Sequence, residues 1–155
     1  MPRLITSVSS TELTDAMIYG WVATDSTSAA HNVVTQIGFS TTTNELNGRF
    51  TVDGTNDTLK PLIAGRYMCW FNASGDLTGS SGYSVVSYIR KNGNNQRSHT
   101  GIRNYAGSST ADFPLTMVPV YMNGTSDTFS IAVYQNSNNT CTVNAGSLFV
   151  LRVGV

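Results

Sequence analysis

The run from Ala64 to Phe71, AGRYMCWF, constrains the fold of this chain more than any other. It opens on an Ala-Gly turn signal and is bulky thereafter, which reads as a β-strand. Side chains alternate along a strand, so Tyr67, Cys69 and Phe71 face one side while Met68 and Trp70 face the other. An antiparallel sheet normally leaves one face to water. A strand that is apolar on both faces needs a partner sheet on one side and a second cover on the other. Another subunit is the expected cover for Met68 and Trp70, with Tyr88 and Tyr134 beside them; loops or an N-terminal arm are the competing cover.

The 155 residues suit one domain with a real core. Net charge is zero, 12% of residues are charged, and about a third are Ser, Thr or Asn. A neutral chain has no electrostatic pull on nucleic acid or an anionic membrane, and solubility rests on hydroxyls and amides. With 40% hydrophobic residues the composition is the reverse of a disordered chain. Residues 1 to 15 form no apolar stretch of signal-peptide or membrane-span length, so synthesis in a cytoplasm is expected. Cys69 and Cys141 lie inside strand-like runs and read as free, buried thiols.

Along the chain, residues 1 to 15 are polar and weakly patterned, and read as an arm preceding a domain over 16 to 155. Strands are expected over Met17–Ala23, Val33–Phe39, Arg49–Val52, Leu59–Ile63, Arg66–Ala73, Tyr83–Arg90, Gln96–Arg103, Phe113–Met122, Thr128–Gln135, Cys141–Val143 and Ser147–Val153. Loops are expected over Thr24–Asn32, Thr41–Gly48, Ser74–Gly82 and Asn104–Asp112, with tight turns at Asn47-Gly48 and Asn123-Gly124. Gly20 inside its strand marks a close backbone approach or a bulge, and Pro119 marks an edge. The last strand is too apolar for an edge and is expected at the centre of its sheet. About ten short strands without helical periodicity make an all-β antiparallel sandwich.

The order of motifs resembles the jelly roll of the tumour-necrosis-factor and complement-head superfamily. Gly48-Arg49-Phe50 precedes a short strand, then come Gly65-Arg66-Tyr67 with Trp70 and Phe71, then Lys91-Asn92-Gly93, then TFSIAVYQ and SLFVLRV. The likeness spans roughly Ile37 to Val153; it departs at Ser126-Asp127, where the family has Gly-Asp, and in a final strand without the usual Gly. The resemblance implies a homotrimer that binds other proteins without catalysis. Met68, Trp70, Tyr88 and Tyr134 then become the expected trimer interface.

No chemistry competes with that expectation. There is no nucleophile elbow, phosphate loop or dinucleotide fingerprint. His31, His99, Cys69 and Cys141 lack metal-site spacing, so no cofactor or metal is expected. The nine carboxylates avoid apolar runs, and Asp53 with Asp57 is better explained by turn geometry than by calcium. Arg90, Lys91, Arg97 and Arg103, with His99, make one hairpin locally basic, either as a solvated face or as a contact for an acidic protein surface. The favoured setting is the virion of a phage. There the trimer would act as a decoration or cement protein on the major capsid protein, with Arg3, Leu4 and Ile5 of the arm contacting the shell. The alternative is a receptor- or glycan-binding head on a phage fibre.

Overall fold

The computed structural model describes residues 18–46, 48–77, 83–103, 109–112 and 116–155. In chain order the strands are β1 (Tyr19–Thr24), β2 (Thr27–Ala29), β3 (Thr35–Gln36), β4 (Phe39–Glu45), β5 (Phe50–Asp53), β6 (Thr58–Pro61), β7 (Gly65–Asn72) and β8 (Ser74–Leu77). They continue with β9 (Tyr83–Lys91), β10 (Asn94–Arg103), β11 (Ser109–Asp112), β12 (Thr116–Met122), β13 (Phe129–Gln135), β14 (Cys141–Val143) and β15 (Ser147–Gly154). No helix occurs among the described residues.

Hydrogen bonding groups the strands into three antiparallel sheets. The first runs β12-β7-β15-β1-β4, the second β10-β9-β13-β6-β5 with β3 also on β13, and a small third β11-β8-β14-β2. Alternation decides which residues fill the space between the first two. Tyr67, Cys69, Phe71, Leu148, Val150 and Val22 point inward from the first sheet, against Phe50, Leu59, Ile89, Phe129, Ile131 and Val133 from the second. Tyr67 stitches the layers together. Its ring meets Phe50 at 5.9 Å and Phe129 at 6.1 Å, both edge to face, and its hydroxyl donates to the Ile63 carbonyl at 2.8 Å. That bond satisfies the one polar atom of an otherwise apolar buried side chain.

Several expectations hold in the described structure. The final strand β15 is central, between β7 and β1, and Pro119 sits on the edge strand β12. A Cβ on Gly20 would come within 2.9 Å of the Phe50 ring, which is the close approach its position implied. Gly48, with φ of +64°, takes up the tight turn before β5.

The loops are corrected. Thr24–Asn32, Ser74–Gly82 and Asn104–Asp112 were expected without structure, yet they contain β2, β8 and β11, which build the third sheet with β14. TSA, SGDL and STAD carry no apolar alternation, so their pairing comes from tertiary placement beside one another and not from local pattern. Thr41 to Glu45 likewise continues β4 along β1 instead of turning. The strand expected over Val33–Phe39 breaks: Thr35 and Gln36 pair with β13, Phe39 instead opens β4 opposite Thr24 of β1, and Val33 and Val34 are exposed. The chain therefore has fifteen short strands among its described residues where about ten were expected.

Candidate functional site

The residues that point away from the core on the first sheet form an aromatic band. Register places Phe149 of β15 between Trp70 of β7 and Trp21 of β1, and places Leu151 between Met68 and Tyr19. The Trp70 and Phe149 rings stack 4.6 Å apart at 16°, and Tyr19 stacks on Phe149 at 6.1 Å and 6°. These six side chains are partly exposed, while their strand neighbours Tyr67, Cys69, Leu148 and Val150 are sealed. Exposed Pro119 and Tyr121 extend the surface along β12. At the opposite rim Glu45 accepts the Tyr19 hydroxyl at 2.7 Å. Contiguous apolar surface of this kind on a sheet face marks an interaction site.

Met68 and Trp70 thus stand together on this face, as their parity required. Tyr88 and Tyr134 do not join them. They lie on β9 and β13, facing outward from the second sheet on the other side of the sandwich, so the four expected interface residues form two patches and not one. β9 pairs with β13 and β10, never with β7, which keeps its side chains off the first sheet. Tyr19, Trp21, Phe149 and Leu151 were missed as site residues. The signal for Phe149 and Leu151 was present: SLFVLRV, like the run around Trp70, is apolar on both parities. Arg3, Leu4 and Ile5 lie outside the described residues.

Charged groups serve structure elsewhere. Lys91 Nζ contacts Asp127 Oδ2 at 2.7 Å and donates to the Tyr121 carbonyl at 2.7 Å. Asp127 also accepts from Asn92 Nδ2 and the Asn123 amide, both at 2.8 Å. Burial pushes the Asp127 carboxyl up, but the Lys91 ammonium and the two amide donors outweigh it and hold the group below its ordinary range. The cluster clips the β9–β10 turn to the segment before β13. Asp53 accepts from the Asn56 side chain and from the Asn56 and Thr55 amides, which lowers its pKa and ties the carboxylate to its own turn. Asp57 Oδ1 receives the Phe39 amide at 3.3 Å.

Cys69 and Cys141 are free and buried. Burial raises the Cys69 thiol well above its usual value and Cys141 to about 11, so both are held as neutral, unreactive thiols. His31 lies in the loop after β2, where Nδ1 accepts the Asn138 amide at 3.0 Å. An open recess of about 400 Å³ is lined by Asp25, Phe39, Ser40, Thr41, Thr42, Gly54 and Thr55. No group of three or more His, Cys, Asp or Glu gathers around a metal-sized space among the described residues. No helix among them is long and apolar enough to cross a membrane.

No protein-family model matches this chain, and no curated protein is similar to it in sequence. Solved structures do share its fold. Eiger TNF from S. frugiperda superposes with a TM-score of 0.53 at 10% identity, over 88% of this chain and 92% of that one. PRD1 vertex protein P5 superposes with a TM-score of 0.55 at 11% identity, over 87% of this chain and 73% of its own. The chain has a TNF-like jelly-roll fold. At these identities the likeness concerns the path of the backbone.

Proposed function

We propose that this protein is a non-enzymatic structural component of a phage virion, a homotrimer that binds the outside of the capsid shell and stabilises it. The observation that carries the reading is the stacked band of Tyr19, Phe149 and Trp70, flanked by Trp21, Met68 and Leu151. In a solitary sandwich these rings stay partly in water. Three copies arranged about an axis, each presenting this face, would remove them from solvent. The shared fold with a PRD1 vertex protein supports a virion setting, and the neutral, hydroxyl-rich composition suits a particle exterior. The arm over residues 1 to 15, through Arg3, Leu4 and Ile5, would then pin neighbouring copies of the major capsid protein. Binding only to the assembled shell lowers the free energy of that state by linkage.

Two measurements test this. Sedimentation equilibrium of the full chain is expected to give three times the 16.6 kDa chain mass, and Trp70→Ser is expected to shift it toward one. A monomeric wild type at micromolar concentration would overturn the interface. Deleting residues 1 to 15 is expected to leave the trimer intact and abolish binding to intact particles; retained binding would refute the arm's role.

A further inference from the structure

The outward face of the second sheet, on the side of the sandwich away from the aromatic band, carries a different chemistry. The chain is neutral, but its charge is unevenly placed: the β9–β10 hairpin, residues 83 to 103, holds Arg90, Lys91, Arg97 and Arg103 and none of the nine acidic residues. Lys91 is neutralised by Asp127. Arg90 is not. It points outward beside Tyr88, since Ile89 between them is sealed in the core. Its Nε is shut off from solvent and has no hydrogen-bond partner among the described residues. Buried polar atoms are nearly always paired, so an unpaired guanidinium N–H on a sheet face points to an acceptor supplied from outside.

The surroundings fit a carboxylate. Directly across from Arg90 and Tyr88 are Ser130 and Ala132 of β13, small and buried at the base of the face, with Tyr134 next along that strand. Beyond β13, Lys60 of β6 also points outward, because its neighbour Leu59 is sealed, and it forms no ion pair with any described residue. The acid nearest in sequence on this sheet is Asp53 of the edge strand β5, and its carboxylate is occupied by Thr55 and Asn56. Arginine presents Nε–H and Nη–H as a planar fork matched to a carboxylate. Swinging the side chain off the sheet toward such a group would complete the bond that Nε lacks.

We infer that the outward face of the β9–β13 pair is a docking surface for an acidic protein segment, with Arg90 as the carboxylate fork, Lys60 as a second cation and Tyr88 and Tyr134 as flanking rings. This deepens the proposed function by stating the chemistry of the shell surface on this side of the trimer, and it separates the roles of Met68 and Trp70 from those of Tyr88 and Tyr134.

The test uses the purified full chain and a hexaglutamate peptide, so it does not depend on particles or on the oligomer. Calorimetric titration is expected to show binding that weakens as salt rises, by about tenfold or more in Arg90→Gln and by less in Lys60→Gln. Arg90→Lys is expected to lose most of the affinity, because an ammonium keeps the charge but not the fork. In the wild type, the Arg90 Nε–H resonance should shift on adding peptide, which keeps the test independent of whether the variants fold. Absence of binding at millimolar peptide, equal binding by Arg90→Gln, or inorganic phosphate displacing the peptide at equal concentration would each overturn the assignment. Failure here with a trimeric mass in sedimentation would leave the proposed function standing; a monomeric mass with intact peptide binding would do the reverse.

Discussion

Replacing Asp127 by Asn tests whether the clip between two turns is worth what its geometry implies. The Asp127 and Lys91 side chains are 25% or less exposed, at 10% and 25%, so their 2.7 Å contact is partly shielded from water. The variant keeps an acceptor for the Asn123 amide but loses the charge that faces the Lys91 ammonium, and it sets its own N–H₂ against Lys91 or Asn92. Charged hydrogen bonds contribute about 1.5–3 kcal/mol, so a loss of about 2–3 kcal/mol is expected. For a chain of this size that lowers Tm by about 4–12 °C, measured at fixed protein concentration because an assembling protein melts in a concentration-dependent way. A cycle with Lys91→Met should show coupling of about 1–2 kcal/mol. The pH dependence has a defined sign. The folded-state pKa of Asp127 is lowered from its ordinary 3.8, so its contribution is complete above that value and is lost as pH falls through the folded pKa. The gap between wild type and variant should therefore be flat at neutral pH and close below about pH 4. A loss under about 0.5 kcal/mol, an additive cycle, or a gap unchanged down to pH 2 would refute the reasoning.

Three further outcomes follow from the packing. Gly124→Ala should destabilise by about 2 kcal/mol or more in urea unfolding, since φ is +74° and the added Cβ would press on the Ala64 backbone; a neutral result would mean that the β12–β13 turn is not held as described. Gly20→Ala should lose about 1–2 kcal/mol by driving a methyl into the Phe50 ring at 2.9 Å, and Phe50→Leu in the same chain should recover part of it. Native Cys69 and Cys141 should react with a thiol reagent at pH 8 only as fast as the protein opens; modification within the mixing time would contradict their burial.

The sandwich was legible wherever one strand carries its own contrast between faces. Arg66 to Phe71, Phe129 to Gln135 and Ser147 to Val153 announce themselves because core formation needs an unbroken apolar parity, and Pro119 announces an edge because it has no amide to donate. The third sheet was illegible, since TSA, SGDL and STAD carry no apolar alternation and are ordered by pairing with neighbours distant in sequence. The candidate site was half legible. Met68 and Trp70 were found from two-sided parity, yet the pairing of β7 with β15 and β15 with β1, which sets Phe149 between Trp70 and Trp21, joins positions 79 and 128 residues apart, beyond any local window.

By itself the amino-acid sequence determined that this chain is all-β, that the strand around Trp70 is apolar on both sides, and that its thiols are buried, because side-chain alternation and burial are local consequences of residue order. Only the tertiary structure decided which outward-facing rings share a surface: strand order sends Met68 and Trp70 to one sheet and Tyr88, Tyr134 and Arg90 to the other, and strand order is set by hydrogen-bond pairing between distant segments that no single strand encodes.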